Sequence, residues 1–95
     1  MMKIVDLAIN DDYSILKTPN YYFYYGYEFD SREDENGDEE YIMGFEVEKG
    51  NEKVFRISAE DMEKVIGCPK YGSCEDMLLF GIGLYLSKEN NNENN

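Results

Sequence analysis

The residues best able to do chemistry in this chain are the carboxylates of residues 29 to 41, FDSREDENGDEEY. They are Asp30, Glu33, Asp34, Glu35, Asp38, Glu39 and Glu40, with Arg32 among them. Such a cluster could ligate a hard cation, share a proton between paired acids, or present charge to a basic surface. The cation reading fails on spacing. With Gly37 as the central glycine of an EF-hand loop, Asp34 and Asn36 fall on ligand positions. Arg32 then takes the first ligand position, and Met43 stands where the bidentate glutamate belongs.

Acid–base catalysis needs a cleft that drives two carboxyl pKa values apart, and a solvated acidic hairpin offers none. The chain has no histidine, so Ser73 and Cys74 have no ordinary base beside them. The Gly-x-Gly of "FGIGLY" lies inside an apolar run and does not open a helix, as a phosphate-cradling loop must. The expectation is a protein that is not an enzyme and holds no metal or cofactor.

The charge has one place. Residues 28 to 48 hold ten acids (the seven above with Glu28, Glu46 and Glu48) against Arg32, a net of −9 in a chain whose total is −12. Packing like charges this closely costs stability through self-repulsion. It repels nucleic acid and anionic lipid and attracts a basic protein surface. The rest of the composition is that of a folded domain, 42% hydrophobic and 15% aromatic, not an acidic tail. Ninety-five residues make one domain, residues 1 to 88, with a polar tail from 89 to 95 expected to be disordered. A chain of this size buries only about 60–65% of its unfolded surface, which leaves little room for a deep pocket.

Cys68 and Cys74 read as reduced thiols, with a short-loop disulfide as the alternative. The first residues, MMKIVDLAIN, are interrupted by Asp6 and do not form a signal peptide, and no run is long enough for a membrane span. The expected location is the cytoplasm, the host's if the gene belongs to a phage.

The elements that position the acids follow from periodicity. Residues 21 to 30, 41 to 48 and 53 to 58 alternate with period two and read as strands with odd positions inward. Asn36-Gly37 suggests a two-residue turn, but that register would set inward residues against outward ones. A three-residue loop, Glu35-Asn36-Gly37 with Gly37 left-handed, pairs Asp34 with Asp38. It also sets Phe29 against Met43, Tyr27 against Phe45 and Tyr25 against Val47. In the next hairpin, Val47 faces Phe55 and Glu46 faces Arg56.

Two serines in the pattern Ser-x-Glu-Asp-Met, Ser58 and Ser73, read as N-caps of helices at 59–66 and 74–87, the first stopped by Gly67 and Pro69. Residues 77 to 86 also fit a buried strand, since Leu78, Phe80, Ile82, Leu84 and Leu86 alternate. Gly81 and Gly83 each cost a helix about 1 kcal/mol relative to alanine. Residues 1 to 20 fit a hairpin or a short helix. The fold class is α+β: an antiparallel sheet of three to five strands packed on two C-terminal helices.

On this frame the acidic tip (Glu33, Asp34, Glu35, Asp38, Glu39, Glu40) continues into an outward face of Glu28, Asp30, Glu46 and Glu48. Tyr22 and Tyr24 stand beside them as candidate anchors. Tyrosine is enriched at interfaces, and complementary charge speeds association. Acids that merely solubilise an aromatic sheet would serve with mixed signs, so the concentration of one sign calls for a partner.

The small, acidic, histidine-free chain is similar in physical type to nucleic-acid mimics, including phage anti-CRISPR and anti-restriction proteins, and to immunity proteins that block nuclease toxins. That similarity implies an inhibitor occupying the basic nucleic-acid site of a nuclease or CRISPR effector. The alternatives are an immunity protein or antitoxin, and a non-inhibitory adaptor or oligomerising domain. In each the partner is a protein, with no direct nucleic-acid or membrane contact, and the chain is a monomer or homodimer.

Overall fold

A strand that alternates apolar and polar residues can bury one face and wet the other. In the computed structural model, which describes residues 3–66 and 73–93, five such strands follow in chain order. They are β1 (Asp6–Ile9), β2 (Tyr13–Lys17), β3 (Tyr21–Glu33), β4 (Glu39–Lys49) and β5 (Glu52–Ser58). Helices α1 (Ala59–Ile66) and α2 (Cys74–Glu93) come after them. Each strand pairs antiparallel with the next, giving an open sheet of order β1-β2-β3-β4-β5. The α+β class expected from the sequence is the one observed, at the upper end of the expected strand number.

The N-terminal segment is the hairpin, not the helix. Asn10 Oδ1 accepts from the backbone N–H groups of Asp12 and Tyr13, at 2.9 and 3.0 Å, and closes its turn. Residues 77 to 86 are helix, not strand, and α2 continues through Glu93, so the tail expected to be disordered from 89 is helical that far. Both serine caps form. Ser58 Oγ accepts from the Asp61 N–H at 3.2 Å, and Ser73 Oγ accepts from the Asp76 N–H at 3.1 Å. The stop signals Gly67 and Pro69, and Cys68, lie outside the described residues.

α2 packs on β2, β3 and β4, and α1 packs on β4 and β5. The core between sheet and helices is built from Phe23, Tyr25, Phe45 and Val47 on the sheet with Ala59, Met62, Met77, Leu78 and Tyr85 on the helices. These sheet residues are the odd-numbered ones, as expected. Phe23 stacks on Phe45 with ring centroids 6.5 Å apart, and Tyr85 meets Phe23 edge-on at 6.3 Å. Burial, then the Glu89 carboxylate, push the Tyr85 hydroxyl above its ordinary value, so it stays protonated.

Ser14 is fully buried on β2 opposite Tyr25, and its hydroxyl has no hydrogen-bond partner among the described residues. An orphaned buried hydroxyl costs about 1–3 kcal/mol. Ser14→Ala should therefore hold or raise the melting temperature. A clear fall on thermal denaturation would show that the hydroxyl is satisfied in solution.

Candidate functional site

The acidic tip is an ordered turn. The Asp34 N–H donates to the Asp38 carbonyl at 2.8 Å, and the Gly37 N–H donates back to the Asp34 carbonyl at 3.1 Å. Gly37 has φ +82°, the left-handed conformation that the three-residue loop requires. Asp34 Oδ1 accepts from the N–H groups of Asn36 and Asp38, at 2.8 and 3.0 Å. One acid of the tip is therefore spent on holding the loop.

Below the turn the expected register holds: Glu33 faces Glu39, Arg32 faces Glu40, Ser31 faces Tyr41 and Asp30 faces Ile42. Arg32 Nε donates to Glu40 Oε2 at 3.1 Å, and this bond raises the arginine pKa. Both partners are exposed, so the pair contributes little stability. The Glu33–Glu39 pair sets like charges directly opposite, which destabilises the ribbon.

The register then shifts. Gly26 faces Gly44, so the three residues Tyr27, Glu28 and Phe29 of β3 face Met43 alone. Tyr25 consequently faces Phe45, and Phe23 faces Val47, correcting the expected Tyr25–Val47, Tyr27–Phe45 and Phe29–Met43 pairs. Two extra residues in one strand preserve odd–even parity, so the hydrophobic alternation gives no sign of them.

The bulge turns Phe29 onto the face away from the helices. Its ring lies over Gly44, where an added β-carbon would stand 2.5 Å from either Cδ. Arg56 clamps it there. The guanidinium lies 4.3 Å above the Phe29 ring centroid and donates to the Phe29 carbonyl at 2.6 Å. It also donates from Nε to Glu46 Oε1 at 2.8 Å, and Lys53 reaches the same oxygen at 3.3 Å. On the other side of the bulge, the Tyr24 hydroxyl accepts from the Glu28 N–H at 3.1 Å.

This geometry divides the residues singled out from the sequence. Asp30, Glu33, Asp34, Glu35, Asp38, Glu39 and Glu40 are all exposed, on or beside a two-stranded ribbon. β2 pairs with β3 only as far as Gly26, and β5 pairs with β4 only from Gly44, so the ribbon projects past the five-stranded sheet. The molecule measures 47 × 30 × 24 Å along its principal axes. Glu28 is exposed at the bulge, while Glu48 and Tyr22 are half-buried.

Tyr24 and Glu46 are each only 8% exposed, so neither is free to meet a partner as drawn from the sequence. Tyr24 stacks on Tyr13 at 6.4 Å, and Glu46 is neutralised by Arg56 and Lys53. The expected outward face of Glu28, Asp30, Glu46 and Glu48 is therefore not one continuous negative surface. The face is mixed in sign, and the densest run of exposed acids lies on the ribbon. Sequence reasoning missed the Arg56–Phe29 clamp. Its signal was Gly26 and Gly44, interior strand glycines that mark a bulge or a close approach.

Cys74 is a buried free thiol 3.5 Å from the Asp11 carbonyl. Burial, then Asp12 and Asp11, push its pKa up and keep it neutral. Among the described residues no helix is long and apolar enough to cross a membrane. No protein-family model, curated protein or solved structure matches the chain.

Proposed function

We propose that this protein is an inhibitor that inserts its acidic ribbon into the basic nucleic-acid site of a nuclease or CRISPR effector. The observation that carries the reading is the projecting ribbon with its excess of negative charge. Residues 30 to 40 hold seven acids and one base, a net of −6. At about 3.4 Å per residue the arm from Asp30 to its tip is about 17 Å long, roughly one charge per 3 Å. A nucleic-acid strand carries about one per 3.4 Å, so a cleft built for phosphates meets a similar charge density. The ribbon keeps Glu33 opposite Glu39 at a cost in stability, as expected where charge serves binding.

The test is the triple variant Glu35→Lys/Asp38→Lys/Glu39→Lys, which takes the ribbon from −6 to zero. It spares the loop-forming Asp34 and the Arg32 partner Glu40, and it gives Glu33 an opposite charge to face. The variant should melt at or slightly above the wild-type temperature. Wild type should capture a nucleic-acid-binding protein from host lysate, and added nucleic acid should displace it. The variant should associate with that protein at least about 10-fold more slowly. Capture of a protein that binds the inhibitor and nucleic acid together, or an unchanged rate in the variant, overturns the reading.

A further inference from the structure

The ribbon joins the sheet where the backbone ladder is weakest. Between the pairs Gly26–Gly44 and Asp30–Ile42, three residues of β3 face Met43 alone, so part of their backbone has no place in the ladder. Two glycines facing each other supply no cross-strand side-chain pair, and glycine inside a strand weakens it. A bare joint of this kind would let the ribbon swing.

Side chains rooted in the sheet close the gap. Tyr24 is buried and stacks on Tyr13 at 6.4 Å. Its ring runs along β3 over Gly26, where an added β-carbon would stand 2.8 Å from Cζ, and its hydroxyl accepts from the Glu28 N–H at 3.1 Å. Arg56 is held to β4 through Glu46 at 2.8 Å and donates to the Phe29 carbonyl at 2.6 Å. Its guanidinium lies 4.3 Å above the Phe29 ring, and that ring covers Gly44. Each glycine is therefore capped by one ring. The bulge is tied at the Glu28 N–H and at the Phe29 carbonyl. From the bulge, Tyr27 meets Tyr41 of the ribbon edge-on at 5.5 Å.

We infer that Tyr24 and Arg56 are positioning residues that hold the acidic ribbon as a rigid arm at a fixed angle to the sheet. An arm already ordered enters a binding site without losing conformational freedom, and this raises affinity by cutting the ordering cost of association. The consequence for binding rests on the inhibitor reading; the rigidity itself does not. Charge and rigidity leave different kinetic marks. Exposed charge governs the rate of encounter, whereas pre-organisation acts more on dissociation than on association.

Two variants keep the net charge and cut one tie each. Tyr24→Phe keeps the ring over Gly26 and removes the hydroxyl. Arg56→Lys keeps a cation beside Glu46 but lacks the planar fork that also reaches the Phe29 carbonyl. Both should keep the wild-type far-UV circular dichroism, and Tyr24→Phe should melt within about 8 °C of wild type. Nitrogen-15 relaxation reads the arm without a partner. In wild type the amides of Arg32, Glu33, Glu39 and Glu40 should show order parameters of about 0.85, the rigid value. In both variants they should fall clearly below it, while the amides of Phe23 and Val47 in the core stay unchanged.

Against the nucleic-acid-binding protein that wild type captures, both variants should associate at the wild-type rate and dissociate about 5-fold faster, the loss of one hydrogen bond. The inference is overturned if the wild-type ribbon is already mobile, with order parameters below about 0.6. It is also overturned if either variant keeps the rigid value, or if the variants loosen the arm and leave dissociation unchanged. If no such protein is captured, or if the charge-reversed triple variant associates at the wild-type rate, the inhibitor reading falls and the relaxation result alone decides the inference.

Discussion

Gly81→Ala should lower the melting temperature, while Gly83→Ala, two residues further along α2, should raise it. Intrinsic helix propensity favours alanine by about 1 kcal/mol at either position. At Gly81 packing overrides it. A β-carbon there would lie 2.7 Å from Phe45 Cε1, and Phe45 is a fully buried ring at the centre of the core. Neither the ring nor the helix can retreat without opening other contacts, and forcing an extra methyl into a packed core costs about 1–3 kcal/mol. Added atoms at Gly83 meet nothing within 4 Å. For a domain of this size 1 kcal/mol moves the midpoint by about 4–8 °C. Thermal unfolding of the two variants should therefore bracket wild type. Equal shifts of the same sign would mean that α2 does not approach the sheet at Gly81.

Arg56→Ala should be the more damaging change. It leaves the Phe29 carbonyl without its donor and uncovers the Phe29 ring. Glu46, its side chain 11% exposed, is left with Lys53 alone, a longer contact from a half-exposed side chain. Glu46 is mostly buried but Arg56 is itself 42% exposed, so solvent screens the pair, and the loss, which includes the Phe29 contacts, should be about 1–3 kcal/mol. Arg56→Met/Glu46→Met removes both charges together and should recover most of it, since apolar replacement of such a pair is often neutral. Denaturant titration of the single and double variants reads this directly. If the double variant is no better than Arg56→Ala, the loss comes from the contacts to Phe29 and not from Glu46. Arg56→Ala should also speed amide exchange at the bulge, because the clamp sets the angle at which the ribbon leaves the sheet.

Binding of the ribbon to a basic site weakens with salt because attraction is screened.

Much of this molecule is legible along the chain, because the deciding interactions are local. Strands over 21–30, 41–48 and 53–58 follow from alternation, and α1 follows from the Ser58 cap. The Gly37 loop follows from a parity argument over a few residues, and Glu46 against Arg56 from counting outward along the next hairpin. Interactions between distant segments are not legible in that way. Alternation could not choose between helix and strand for residues 77 to 86, because that stretch is apolar nearly all round and fits both periods. Parity could not reveal the bulge at Tyr27–Phe29, because an insertion of two residues leaves odd and even faces unchanged. The consequences of that bulge were hidden with it: Phe29 on the outer face, Arg56 above it, and Glu46 and Tyr24 buried. Where the charge is and which elements carry it can be read along the chain. Which acids stay exposed cannot be read that way, because neutralisation and burial depend on neighbours brought in from other strands.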